Sequence, residues 1–188
     1  GEYQAQTEAK KRIALMSVII LLVIIFLLFS YFRNSLFVFL VLTNIPISMI
    51  GGILLTHWTL DTISIASLVG LIAISGIAAR NTIMMLSHYL HLMRHEGESF
   101  TRQMVERGTE ERLVPVLMTA LSAGIALIPM VLAAGEPGKE VLNPVAVVIV
   151  GGLVSSTLLG LAVTPGVFYA FGRKAAAKAI ARNAAASQ

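Results

Sequence analysis

Five stretches of this chain, residues 13–32, 36–56, 63–92, 113–134 and 141–171, each run for at least 20 positions, and Arg80 is the one Lys, Arg, Asp or Glu inside them. A hydrocarbon core of roughly 30 Å is crossed by about 20 helical residues rising 1.5 Å each, so every stretch is long enough to span. Backbone N–H and C=O groups find no water in lipid and must be satisfied within the segment, which makes these runs helices. The expected fold is therefore an all-α membrane protein with five transmembrane helices. With 56% hydrophobic and 13% charged positions, against roughly a quarter charged in soluble proteins, no stretch is left for a soluble domain. A conventional enzyme would need its catalytic groups inside or between spans. The third and fifth runs exceed the minimum, which predicts tilt or extension beyond the bilayer.

The connectors give the order of the bundle. YFRN at 31–34 reads as a tight turn, HWTLDT at 57–62 places Trp58 at an interface, 94–112 is long and charged, and GEPGKE at 135–140 is a Gly/Pro turn. Nine of the 14 Lys and Arg fall on the side holding Arg33, Arg94, Arg102, Arg107, Arg112, Arg173, Lys174, Lys178 and Arg182; Lys10, Lys11, Arg12 and Lys139 fall on the other. Positive residues mark the inner side, so the N-terminus is expected outside and the C-terminus inside, with KKR at 10–12 the dissenting cluster. The net charge of +4 is thus a topology signal, not a nucleic-acid footprint. Residues 1–12 lack a charged n-region of the signal-peptide type and are expected to end a preceding segment of a longer chain. Residues 13–173 form the bundle, and 174–188 an Ala-rich basic inner tail, helical near the membrane and frayed beyond. Phe100, Met104 and Val105 alternate at helical spacing with Arg102, Glu106, Arg107, Glu110 and Glu111, predicting a short amphipathic helix near 99–111 at the inner membrane surface; a solvated linker accommodates the same pattern.

Arg80, in GIAARNTIMM, is the sharpest feature. A charge at the centre of a spanning helix costs about 2.5–3.5 kcal/mol on insertion scales, so it faces a bundle interior, a carboxylate or water. Ala66, Ala73, Gly76, Met84 and Ser87 share its stripe, small enough for a face packed against other helices. Yet the spans contain no Asp or Glu; Asp61 and Glu140 stand at outer ends. The carboxylate partner is expected on a different set of helices, the alternative being a role capping carbonyls or lining water. Asn81 is similarly costly unless hydrogen-bonded and is expected in the same network. Thr119 in the fourth span, with Ser122 nearby, offers a hydroxyl, although such a threonine commonly bonds its own i−4 carbonyl.

His88, His91 and His95 lie at i, i+3 and i+7, with Met84 one turn earlier, a spacing that could ligate a soft cation but fits solvated interfacial histidines equally. The eight methionines are scattered as in core packing. Glycine pairs at 51–52 and 151–152, Ser155 and Ser156, and Gly70 with Gly76 predict close helix contacts. Pro46, Pro129 and Pro165 predict kinks or unwound turns. There is no phosphate loop, HExxH or nucleophile motif, the chain has no cysteine, and no cofactor is expected.

LVGLIAISGIAARNTIMM, HEGES, ERLVPVLMTALSAGIALIPMVL, EPGKE and NPVAVVIVGGLVSS followed by VTPGVFY together resemble the C-terminal membrane half of the resistance-nodulation-division (RND) permeases, from about Lys10 to Lys174. SHYLHLMRHEG, PVLMTAL and PGKEVLNPVAVVIVGG look most like the heavy-metal cation efflux branch. The resemblance implies two parallel six-helix repeats, of which these would be the last five helices of the second, following a periplasmic domain. It implies a homotrimer in the bacterial inner membrane working with a periplasmic adaptor and an outer-membrane channel. It also implies a proton relay in which a basic residue on the third of these helices, here Arg80, pairs with aspartates of the first repeat. Thr119 would join the relay and Arg112 would be a basic residue at the cytoplasmic mouth. Some metal-efflux members instead carry glutamate at the Arg80 position and lysine at the Leu117 position; Arg80 is placed as in drug-exporting relatives.

Overall fold

The computed structural model describes residues 2–60 and 63–186, with side chains described at 4, 7–60 and 63–181; Asp61 and the side chain of Arg182 lie outside these. Five helices follow one another: α1 (Glu2–Phe32), α2 (Ser35–Thr59), α3 (Ile65–His95), α4 (Arg102–Leu132) and α5 (Leu142–Ala186). All five are long and apolar enough to cross a membrane, and the chain is a multi-pass membrane protein.

The tight turn expected at YFRN closes α1 onto α2. Arg33 takes a left-handed backbone, φ 47°, and Asn34 caps α2 by accepting the Leu36 N–H at 3.0 Å. At the far end of α4, Gly135 and Gly138 adopt φ of 80° and 84°, conformations that glycine reaches without steric cost. Asn143, buried at the start of α5, donates its amide to the Met130 and Val131 carbonyls, each at 2.9 Å, and so ties the two helices together.

Lipid tails are as apolar as leucine, so helices in a membrane associate through close packing and interhelical hydrogen bonds. The glycine pairs supply the first. A Cβ on Gly52 would lie 2.9 Å from the Val148 carbonyl oxygen, and one on Gly152 would lie 2.4 Å from Ile74. Gly70 likewise seats Val148. Helices α2, α3 and α5 thereby form a tight trio, locked by a hydrogen bond from the Ser155 hydroxyl to the Ser48 carbonyl at 3.0 Å. Gly76 departs from expectation, since among the described residues nothing comes within 4 Å of a Cβ built there.

A second region of packing gathers Phe37, Tyr89 and Phe168, all fully buried, with Phe32 and Phe100 against them. Met104 and Val105 belong to it. The segment 99–111 therefore differs from the separate surface helix expected: from Arg102 it is the beginning of α4, continuous with the fourth span. Its apolar face packs on protein because Gly108 lets Tyr89 approach so closely that a Cβ would stand 2.7 Å from the ring. The tail is helical near the membrane as expected and carries α5 further than expected, as helix to Ala186, with Ala175, Ala176 and Ala179 in the core. Pro46, Pro115, Pro129 and Pro165 all lie inside helices that continue through them. Beyond Gly108, α4 buries no residue against the rest of the chain, and α1 buries little besides Leu28 and Phe32.

Candidate functional site

Arg80 projects from the middle of α3 and is exposed, while its neighbours Ala78 and Ala79 are buried. Among the described residues it has no ion-pair or hydrogen-bond partner. Ala73, Gly76 and Met84 of its stripe are exposed as well. The small-residue stripe expected to pack against helices is thus open within this chain, an apolar strip with one cation at its centre.

Helices α3 and α4 run antiparallel in a readable register. Tyr89 hydrogen-bonds Thr109 at 2.7 Å, His88 meets Glu111 at 2.7 Å, and Asn81 shares a cavity with Val116. Numbers rise along α4 as they fall along α3, and continuing that register by one residue on α3 sets Arg80 level with Leu117, two residues before Thr119. The Thr119 hydroxyl donates to the Pro115 carbonyl at 2.8 Å, the i−4 bond its setting suggested, and its lone pairs remain for a further donor. Thr119 is exposed like Arg80, and Ser122 follows it on the exposed part of α4.

Asn81 turns elsewhere. It lines a small cavity with Asn44, Thr82, Ser156 and Thr164, between α2, α3 and α5. Sequence reasoning passed over this polar node. The Asn44 amide donates to the Thr82 hydroxyl, and to the Thr164 hydroxyl at 3.3 Å, with all three residues buried. The available signal was the amide itself: Asn44 in FVFLVLTNIPISM carries the same desolvation cost in lipid as Asn81.

Nearer the charged end, Arg112 joins Tyr31, Ser87, His88, His91, Arg94 and His95 around an open concavity of about 520 Å³. His91 and His95 stack with ring centroids 4.5 Å apart, and His88 is engaged by Glu111. Among the described residues no three His, Cys, Asp or Glu side chains converge as metal ligands, and Met84 is exposed away from the histidines' ring contacts. Below the concavity, Arg107 pairs with Glu96 at 2.9 Å, with Glu111 at 2.8 Å, and with Glu98. These charges lie outside the apolar span that begins at Leu113. There the His88 ring, with Arg107 adding to it, holds the Glu111 carboxyl below the usual glutamate range.

Residues 1–172 match the AcrB/AcrD/AcrF family. The chain belongs to that family. It is 38% identical over 171 residues to protein HelA of Legionella pneumophila, covering 91% of this chain and 16% of the relative. It is 40% identical over 165 residues to the cobalt-zinc-cadmium resistance protein CzcA of Cupriavidus metallidurans, covering 88% of this chain and 15% of the relative. The fold superposes on the crystal structure of a heavy metal efflux pump with a TM-score of 0.78 at 35% identity, covering 92% of this chain and 17% of that one. The family chain described here therefore spans about one-sixth of the length of these relatives.

Proposed function

We propose that this chain is the final membrane segment of a proton-motive-force-driven RND permease that exports heavy-metal cations, working as a transporter and not as an enzyme. The observation that carries the reading is Arg80: a permanent cation in mid-span, within one helical turn of the level of Thr119, with no carboxylate among the described residues to answer it. Likeness to CzcA and to a heavy metal efflux pump supports the metal branch. A carboxylate pair from the first repeat faces the open stripe of α3 and pairs with Arg80. Protonation of those carboxylates weakens the attraction, shifts α3 and α4, and drives the periplasmic domains through their cycle. Thr119 and Asn81 border this relay and Arg112 stands at its cytoplasmic mouth. The N-terminal side is periplasmic and the C-terminal tail cytoplasmic, in a homotrimer of the bacterial inner membrane that engages a periplasmic adaptor and an outer-membrane channel.

The competing reading is export of amphiphilic compounds on the same scaffold, favoured by a basic residue at position 80 as in drug-exporting relatives. In the complete permease, Arg80→Ala abolishes export while the trimer still assembles; export at the normal rate overturns the relay. Survival on metal salts compared with survival on detergents, in cells with and without the complete permease, separates the two substrate classes.

A further inference from the structure

Asn44 is 4% exposed and carries a side-chain oxygen with no hydrogen-bond partner. The Thr82 hydroxyl donates to the Ala78 carbonyl at 3.1 Å and accepts from Asn44 Nδ2. The same Nδ2 reaches Thr164. Oδ1 is left over as a buried acceptor, a condition rare in folded proteins and costly in a low-dielectric setting.

Beside it lies the cavity of about 10 Å³ bounded by Asn81, Thr82, Ser156, Gly160 and Thr164. That is room for about one water molecule and nothing larger. No carboxylate lines it, which leaves a cation without a counter-charge. Ser156 already donates to the Leu153 carbonyl at 3.3 Å and retains acceptor capacity, and the Asn81 amide has no hydrogen-bond partner to compete for it among the described residues. We propose that this cavity is a built site for one ordered water molecule, which donates to Asn44 Oδ1 and bridges it to Asn81. The water completes a polar node joining α2, α3 and α5 and ends it one residue from Arg80. The site stands independently of the proposed transport activity, since it rests on the cavity and its lining.

X-ray radiolytic labelling of the complete permease in ¹⁸O water tests it. Met85 lines the cavity and is buried, at 4% exposed, whereas Met104 is buried at 1% away from it. Radicals formed from a bound water oxidise Met85 and leave Met104 untouched. A Cβ at Gly160 would sit 3.2 Å from Asn44 Nδ2, so Gly160→Ala fills the space and lowers Met85 labelling about fivefold or more, as expulsion of a cavity water should. Absence of Met85 labelling in the unmodified permease overturns the proposal, as does undiminished labelling in Gly160→Ala with Met104 protected. Should Gly160→Ala expose Met104, Asn44→Leu replaces it under the same two criteria.

Discussion

Gly51 on α2 and Gly151 on α5 meet backbone to backbone: a Cβ on Gly51 would stand 2.3 Å from the Gly151 carbonyl oxygen, and one on Gly151 would stand 2.4 Å from the Gly51 carbonyl oxygen. Neither obstacle is a flexible side-chain end, so the helices themselves must separate to admit a side chain. Gly151→Leu should destabilise the complete permease by about 1–3 kcal/mol or more, the range of overpacked cores. Thermal unfolding in detergent checks this, and an unchanged midpoint would contradict the contact.

Arg33 sits in the left-handed region at the α1–α2 turn. A β-branched residue is strained there. Arg33→Val is expected to cost about 1–2 kcal/mol, while Arg33→Gly removes the strain and costs less, as read by the same melting experiment.

Thr101 caps α4 by accepting the Met104 N–H at 3.2 Å. Thr101→Ala loses about 1 kcal/mol of local stability. Hydrogen exchange at the Gln103–Val105 amides should quicken while exchange in α5 stays unchanged.

Glu111 makes the α3–α4 contact sensitive to acid. Its folded pKa is lowered, through the His88 hydrogen bond first and Arg107 second, so the stabilisation it contributes is present above the unfolded value and disappears as pH falls through the folded one. A spin label at Ser99→Cys, in the loop beside this cluster, should keep its mobility down through the ordinary glutamate range near pH about 4.3 and loosen only below it. In Glu111→Gln that acid transition is absent.

Under the proposed relay, Thr119→Ser preserves export by the complete permease and Thr119→Ala lowers it, with trimer yield unchanged. Equal export by the two variants would remove the Thr119 hydroxyl from the pathway, since its bond to Pro115 serves only its own helix.

The five spans, the turn at Arg33 and the Gly/Pro turn at 135–138 were legible in the residues, because bilayer thickness sets a minimum length for each apolar run and a turn is chosen by a few adjacent residues. The glycine contacts were legible as small surfaces, but not as pairs. Whether Gly52 opens onto a neighbour and Gly76 onto none depends on how α2, α3 and α5 rotate about their axes, and a helix that is apolar on every side carries little periodicity to reveal that rotation. The same loss of pattern hid the Asn44 node, whose partners Thr82 and Thr164 lie 38 and 120 positions away. It also hid the fusion of 102–111 into α4, where Gly108 admits Tyr89 and turns a surface-seeking face into a packed one. The sequence by itself determined that the chain crosses a membrane and that a permanent cation, Arg80, stands in the middle of one span. Only the tertiary structure decided which faces are closed within the chain and which, Arg80's included, are left open, because that choice is made by side-chain fit between helices and not by the free energy of any one helix in lipid.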